Sequence, residues 1–243
     1  MAHPRLPNSP LLEVTAELRF HGDLALYTSW GKVQAELRKE FPRLLVPTGE
    51  PGGPPMLQPV RLSSLDDTHG VMLAINTVGY TCRVYPGFDV FLASVSRIVQ
   101  TFSRHSPPVT PSRFGLRYAN LLPPTFPGEL REGQVHPCLR AIVSGVPSVG
   151  GEFPEPPVLV LVTGQGDLQA RLSLLPPTAV VGVNQLQLHA NPHGVLLDID
   201  VWKTADLEQA GFTDFLDRAH DLIERMFFGL ITDEYYRYLK GEA

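Results

Sequence analysis

The chain has 243 residues, 43% hydrophobic and 19% charged, a length that suits one large domain or two small fused ones around a real core. Its formal net charge of −5 excludes a general polyanion binder, because neutralising phosphates needs clustered cations. Sixteen of the twenty basic residues are arginine, so a local guanidinium patch stays open. Residues 1–10 carry no secretory pattern and no apolar run reaches membrane-span length, so the chain reads as cytoplasmic and without membrane association.

Residues 11–20 alternate. Leu12, Val14, Ala16, Leu18 and Phe20 point one way, and Glu13, Thr15, Glu17 and Arg19 the other, as in a half-buried antiparallel strand. A helix is expected over 26–41, with Trp30, Val33, Leu37 and Phe41 near helical spacing. A turn-rich loop at 49–55 leads to short strands at 57–63, 71–77 and 80–85, with Gly79 as a hairpin turn. The Tyr85-Pro86-Gly87 turn then launches a helix over 89–104, with Asp89 as its N-cap. Phe91, Leu92, Val95, Ile98 and Phe102 form its buried stripe, and Ser106-Pro107-Pro108 ends it.

A strand at 110–122 restarts the pattern, with Phe114, Leu116 and Tyr118 opposed to Arg113, Gly115 and Arg117. Residues 123–155 read as an irregular insertion with a short helix near 136–144. Strands follow at 157–163, 168–175, 181–189 and 194–202, the first two joined by a turn at Gly164-Gln165-Gly166-Asp167. The closing helix, 213–230, takes Thr213 as its cap. Phe215, Leu216, Ala219, Leu222, Ile223, Met226, Phe227 and Leu230 form its stripe, and a tyrosine-rich tail from Thr232 to Leu239 adds a further turn of helix.

Gly87-Phe88-Asp89-Val90-Phe91-Leu92 recurs as Gly211-Phe212-Thr213-Asp214-Phe215-Leu216, and the match continues from Ile98 onto Leu222 and Val99 onto Ile223. A weaker echo places Glu17-Leu18-Arg19-Phe20 on Gly115-Leu116-Arg117-Tyr118. The pattern predicts an α+β fold from a duplicated β-α-β(n)-α unit, forming a curved, mainly antiparallel sheet with the long helices on one face. Residues 1–108 make the first half and 109–243 the second, with the insertion at 123–155, all within one two-repeat domain.

Five dispersed stretches carry a resemblance: Pro10-Leu11-Leu12-Glu13-Val14 with Glu17-Leu18-Arg19-Phe20; Tyr85-Pro86-Gly87-Phe88; Arg113-Phe114-Gly115-Leu116-Arg117-Tyr118-Ala119-Asn120; Leu197-Asp198-Ile199-Asp200-Val201; and Leu230-Ile231-Thr232-Asp233-Glu234. Together they resemble an uncharacterised, sporadically distributed prokaryotic family of about this length. The resemblance implies no catalytic residue. The family's patchy distribution is of the kind seen for mobile defence or toxin-linked genes.

Candidate sites follow from strand alternation. Arg19, Arg61, Arg83, Arg113, Arg117 and Arg171 all fall on polar sides, with Glu13, Glu17, Asp198 and Asp200. Such a face can grip carboxylate or phosphate; the alternative is cross-strand ion pairing at roughly 0.2–1 kcal/mol per pair. Asp198, Asp200 and Trp202 project from one face of a strand, and the two carboxylates can hold a divalent ion or sit as ion-paired surface residues. His189 and His193 flank a turn, His136 and Cys138 lack further soft ligands, and Cys82 points inward, so no zinc site is expected. Gly-x-Ser-x-Gly, Walker and dinucleotide fingerprints are lacking, and no cofactor is expected. Tyr235, Tyr236 and Tyr238 can mark a partner surface. The reading is a non-catalytic binding or assembly module, taking a protein partner or associating with itself through Arg19, Arg113, Arg117, Asp198, Asp200 and Trp202. The alternatives are a nucleic-acid-acting metal-dependent nuclease using Asp198 and Asp200, and a binder of small anions.

Overall fold

The alternating segments become strands and the segments of helical spacing become helices, throughout the residues described by the computed structural model: 6–46, 59–122, 159–175, 195–205 and 207–242. The strands are β1 (Leu11–Phe20), β2 (Arg43–Leu45), β3 (Val60–Ser63), β4 (His69–Ala74), β5 (Thr77–Cys82), β6 (Pro111–Leu122), β7 (Leu159–Gln165), β8 (Leu168–Leu175) and β9 (Val195–Lys203). The helices are α1 (Tyr27–Leu37), α2 (Phe88–His105), α3 (Phe212–Leu230) and α4 (Asp233–Leu239). The fold is α+β, with an antiparallel sheet in the order β2-β3-β4-β5-β1-β6-β9-β8-β7. The expected insertion at 123–155, the helix near 136–144, the strand at 181–189, His136, Cys138, His189 and His193 lie outside the described residues. No helix among the described residues is long and apolar enough to cross a membrane.

The residues gather into two units, one of Glu13–Arg117 with Trp202–His220, the other of Met1–Leu12 with Tyr118–Val201 and Asp221–Ala243. In the first unit, Val14, Ala16, Leu18 and Phe20 of β1 are buried on the apolar sheet face with Val71, Leu73, Val78 and Tyr80. Phe91, Val95, Ile98 and Phe102 of α2 are buried as well, and Phe102 stacks on Phe20 with ring centroids 5.5 Å apart. The start of α3 shares this face, because Phe114 packs on Phe212 and Phe215 at 5.0 and 5.6 Å. The two helices run antiparallel here. Gln209, just before α3, bonds Ser103 near the end of α2, while Phe88 at the start of α2 stacks on His220.

Several local expectations change. Gly79 lies inside β5, opposite Glu17 and Met72, and the hairpin turn is Ile75-Asn76. A Cβ there would come within 3.3 Å of the Ala16 carbonyl, so close strand approach is what requires glycine. Gly87, at φ +107, is the N-cap of α2, and Asp89 falls in the first turn. Asp89 remains favourable there beside the exposed N–H groups. Leu92 is only half-buried. Thr213 lies within α3, because a 3₁₀ turn at Gln209–Gly211 starts the coil early. The short edge strand β2 carries no alternation long enough to read in sequence.

In the second unit, β7 and β8 form a hairpin whose last pair is Gln165 with Leu168, so Gly166-Asp167 is the turn and Gly166 takes φ +62. That is the backbone conformation glycine reaches without strain. Thr232 caps α4 by accepting from the Tyr235 N–H. Asn8 bonds the carbonyls of Tyr238 and Leu239. Tyr235 is fully buried and stacks on Tyr238, so the tail contributes core as well as surface.

Candidate functional site

Beta alternation sends the polar residues of the first unit to the sheet face opposite α2. β1 supplies Glu13, Thr15, Glu17 and Arg19, and β6 supplies Arg113 and Arg117. Each β6 arginine serves a different β1 carboxylate. Arg113 Nη1 lies 3.5 Å from Glu17 Oε2, the oxygen that also accepts from Arg19 Nε and Nη2 at 2.9 and 2.8 Å. Arg117 acts on Glu13, together with Arg83 and Arg61.

The Glu17 end is the open one. Arg19 is 47% exposed at its side chain. Arg113 lies along its own strand over Gly115, where a Cβ would meet its Nη1 at 3.1 Å. Its guanidinium sits 5.6 Å from the centroid of the Trp202 ring, a cation–π contact that orients the fork. Arg113 is thus held on three sides, by Gly115, Trp202 and Glu17.

The Glu13 end is closed. Glu13 is only 6% exposed, and Thr15, Ser63 and Thr81 are buried with it. An alternating strand on an open face would leave these residues wet; here they form a polar network instead. Thr15 Oγ1 donates to Glu13 Oε1 at 3.3 Å and lies 3.1 Å from Thr81 Oγ1. Arg83 Nε lies 3.7 Å from Glu13 Oε2, and neither atom makes a hydrogen bond among the described residues. Burial pushes the Glu13 carboxyl above its usual range, outweighing the opposing pull of Arg83 and Arg117. Across the strands, Arg61 crosses Gly70, with its Nε 2.6 Å from where a Cβ would stand. Its Nη2 is buried, 3.6 Å from Asp67 Oδ1, and makes no hydrogen bond among the described residues.

Asp198 and Asp200 are both in the second unit. Asp198 is 3% exposed, more buried than the half-exposed strand face expected, and Asp200 lies 3.6 Å from Arg171 Nη2. Leu197, Ile199 and Val201 are buried on the other face. Among the described residues no group of three His, Cys, Asp or Glu side chains is placed to hold a metal. Cys82 is a buried core thiol, pushed up to about 11 by burial.

Arg19 and Arg113 share Glu17, Arg83 and Arg117 act on Glu13, and Arg61 stands between Glu13 and Asp67. The role of Gly70 and Gly115 as floors for guanidinium groups was missed, although a glycine inside a strand is the signal for close approach. No family model matches the chain, and no curated protein matches it.

Proposed function

We propose that this chain is a non-catalytic binding module that captures an acidic protein segment, or an acidic patch of a second copy, through the sheet face around Arg113. One observation carries this reading: Arg113 is pre-oriented by Gly115, Trp202 and Glu17 on a face rich in guanidinium groups. Arginine and tryptophan are the residue types that most often dominate interface energetics. A fork already held in place loses little freedom when it grips a carboxylate.

A duplicated unit underlies the module. Its support is the strand order, in which β3-β4-β5-β1 is mirrored by β7-β8-β9-β6, each half placing its first strand beside its last. A long helix follows the last strand in both. On this correspondence, residues 21–59 match 123–158, whereas the Ile75-Asn76 turn matches 176–194. The extra length of the second half then falls between β8 and β9, and not at 123–155.

The test measures binding of a fluorescent poly-glutamate peptide by anisotropy and self-association by sedimentation, for the wild type and for Arg113→Ala with Arg117→Ala. The double variant should lose the peptide or the self-association while its circular dichroism stays native. Binding that persists in that variant sinks the reading. Preference for an oligodeoxythymidylate over the peptide would favour the nucleic-acid alternative.

A further inference from the structure

The closed end of the same face holds a second feature that does not depend on the partner reading. Arg61, Arg83 and Arg43 share the polar face above a transverse row of small residues, and both Arg83 and Arg43 act electrostatically on Arg61. The register runs Arg43 to Ser63, Ser63 to Gly70, Gly70 to Thr81 and Thr81 to Thr15 across five strands. Gly70 has no side chain, so the Arg61 guanidinium lies flat on the backbone there. Arg43 is exposed at the outer end of the row, while Arg61 and Arg83 are 14% and 25% exposed at their side chains.

Like and opposite charges crowd this corner. Burial lowers the proton affinity of Arg61, and the like charges of Arg83 and Arg43 add to that effect against Asp67 and Glu13. Among the described residues, Arg61 Nη2 and Arg83 Nε are buried donors with no hydrogen-bond acceptor. The carboxylates beside them lie at 3.6 and 3.7 Å, beyond hydrogen-bond reach. Asp67 is engaged elsewhere, accepting from the Ser63 hydroxyl. Buried donors left unmade are costly, and guanidinium groups that repel one another are held together most readily by a shared anion.

We propose that Arg43, Arg61 and Arg83 form a subsite for a small oxyanion, a phosphate or carboxylate group that supplies the missing acceptors and offsets the crowded positive charge. Asp67 and Glu13 bound the site and keep it from being a general anion sink, so it takes one small group. Arg43 at the exposed end is the entry residue. Arg61, laid on Gly70, is the anchor.

The experiment follows thermal stability and calorimetric binding of inorganic phosphate, with acetate as the planar counterpart, against chloride at matched ionic strength. Phosphate or acetate should give a saturable rise in melting temperature, about 2–4 °C well above the dissociation constant. Arg61→Ala should weaken binding at least about tenfold, and Arg43→Ala, at an exposed position that leaves the fold intact, by about threefold. A response to phosphate alone marks the ligand as a phosphate group, and a response to both marks oxyanions generally. The Arg113→Ala variant, altered at the Glu17 end alone, should keep the full response, which separates this site from the proposed partner surface. No saturable rise, or an unchanged affinity in both Arg61→Ala and Arg43→Ala, overturns the proposal.

Discussion

Two carboxylates of the first unit, Glu13 on β1 and Glu36 on α1, both face guanidinium groups, yet their environments push them in opposite directions. Glu36 sits at the junction of α1 and α2, in contact with water. It accepts from Thr101 Oγ1 at 3.0 Å and Arg104 Nη1 at 2.6 Å, and His105 Nε2 lies 2.7 Å away. The contact with His105 contributes most, and with Thr101 and Arg104 it holds the carboxyl below its usual range. Glu13 has arginine neighbours but one unmade acceptor, and burial raises it. Proximity of opposite charge alone does not decide the outcome. Completed hydrogen bonds at a wet site favour the ion, whereas an incomplete pair in a dry site does not.

The largest expected effect comes from deepening the imbalance at Glu13. Arg83→Ala leaves a buried carboxylate with one fewer counter-charge and should cost about 3 kcal/mol in urea denaturation at pH 7. Adding Glu13→Gln should recover most of that loss. If the double variant is as unstable as the single one, Arg83 stabilises through packing and the electrostatic contrast with Glu36 collapses. Next in size, Gly70→Ala places a methyl group against the Arg61 guanidinium and should cost about 1–2 kcal/mol, because either the strand or the arginine has to move. A crystal structure of that variant with Arg61 unmoved contradicts the floor role of Gly70.

At the other carboxylate, Thr101→Val removes one buried hydroxyl donor with little change of shape and should cost about 1 kcal/mol by thermal melting. A neutral result would leave His105 and Arg104 as sufficient partners.

The smallest effects are the most discriminating, because they differ in sign with pH. Glu13 has a raised folded value, so its contribution is fully present below about pH 4.5 and is lost as pH rises through the folded value. Glu13→Gln should match the wild type in acid and gain relative stability as pH rises. Glu36 has a lowered folded value, so its contribution is present above about pH 4.5 and is lost as pH falls through the folded value. Glu36→Gln should lose relative stability at neutral pH and converge with the wild type in acid. Parallel stability–pH profiles for the two variants would erase the distinction.

Alternation along 11–20 and 110–122, the helical stripes at 91–102 and 215–227, and the glycine turn at 166 were all legible, because each depends on local periodicity or on one backbone conformation. Gly79 was misplaced as a turn, and Asp89 as the N-cap in place of Gly87, for the same reason. A glycine needed for close strand approach and one needed for positive φ look alike in a sequence. Alternation also placed the arginines on one side of their strands.

What periodicity could not supply was the order of the strands across the sheet. That order sets Arg113 over Trp202, which is remote in sequence, and assigns Arg113 to Glu17 and Arg83 to Glu13. It also decides that Glu13 and Thr15 are dry while Arg19 is wet, though all three share one face of one strand. The side of the sheet a residue faces follows from the two-residue repeat of its own strand. Its burial and its partners follow from neighbouring strands, which long-range pairing alone brings together.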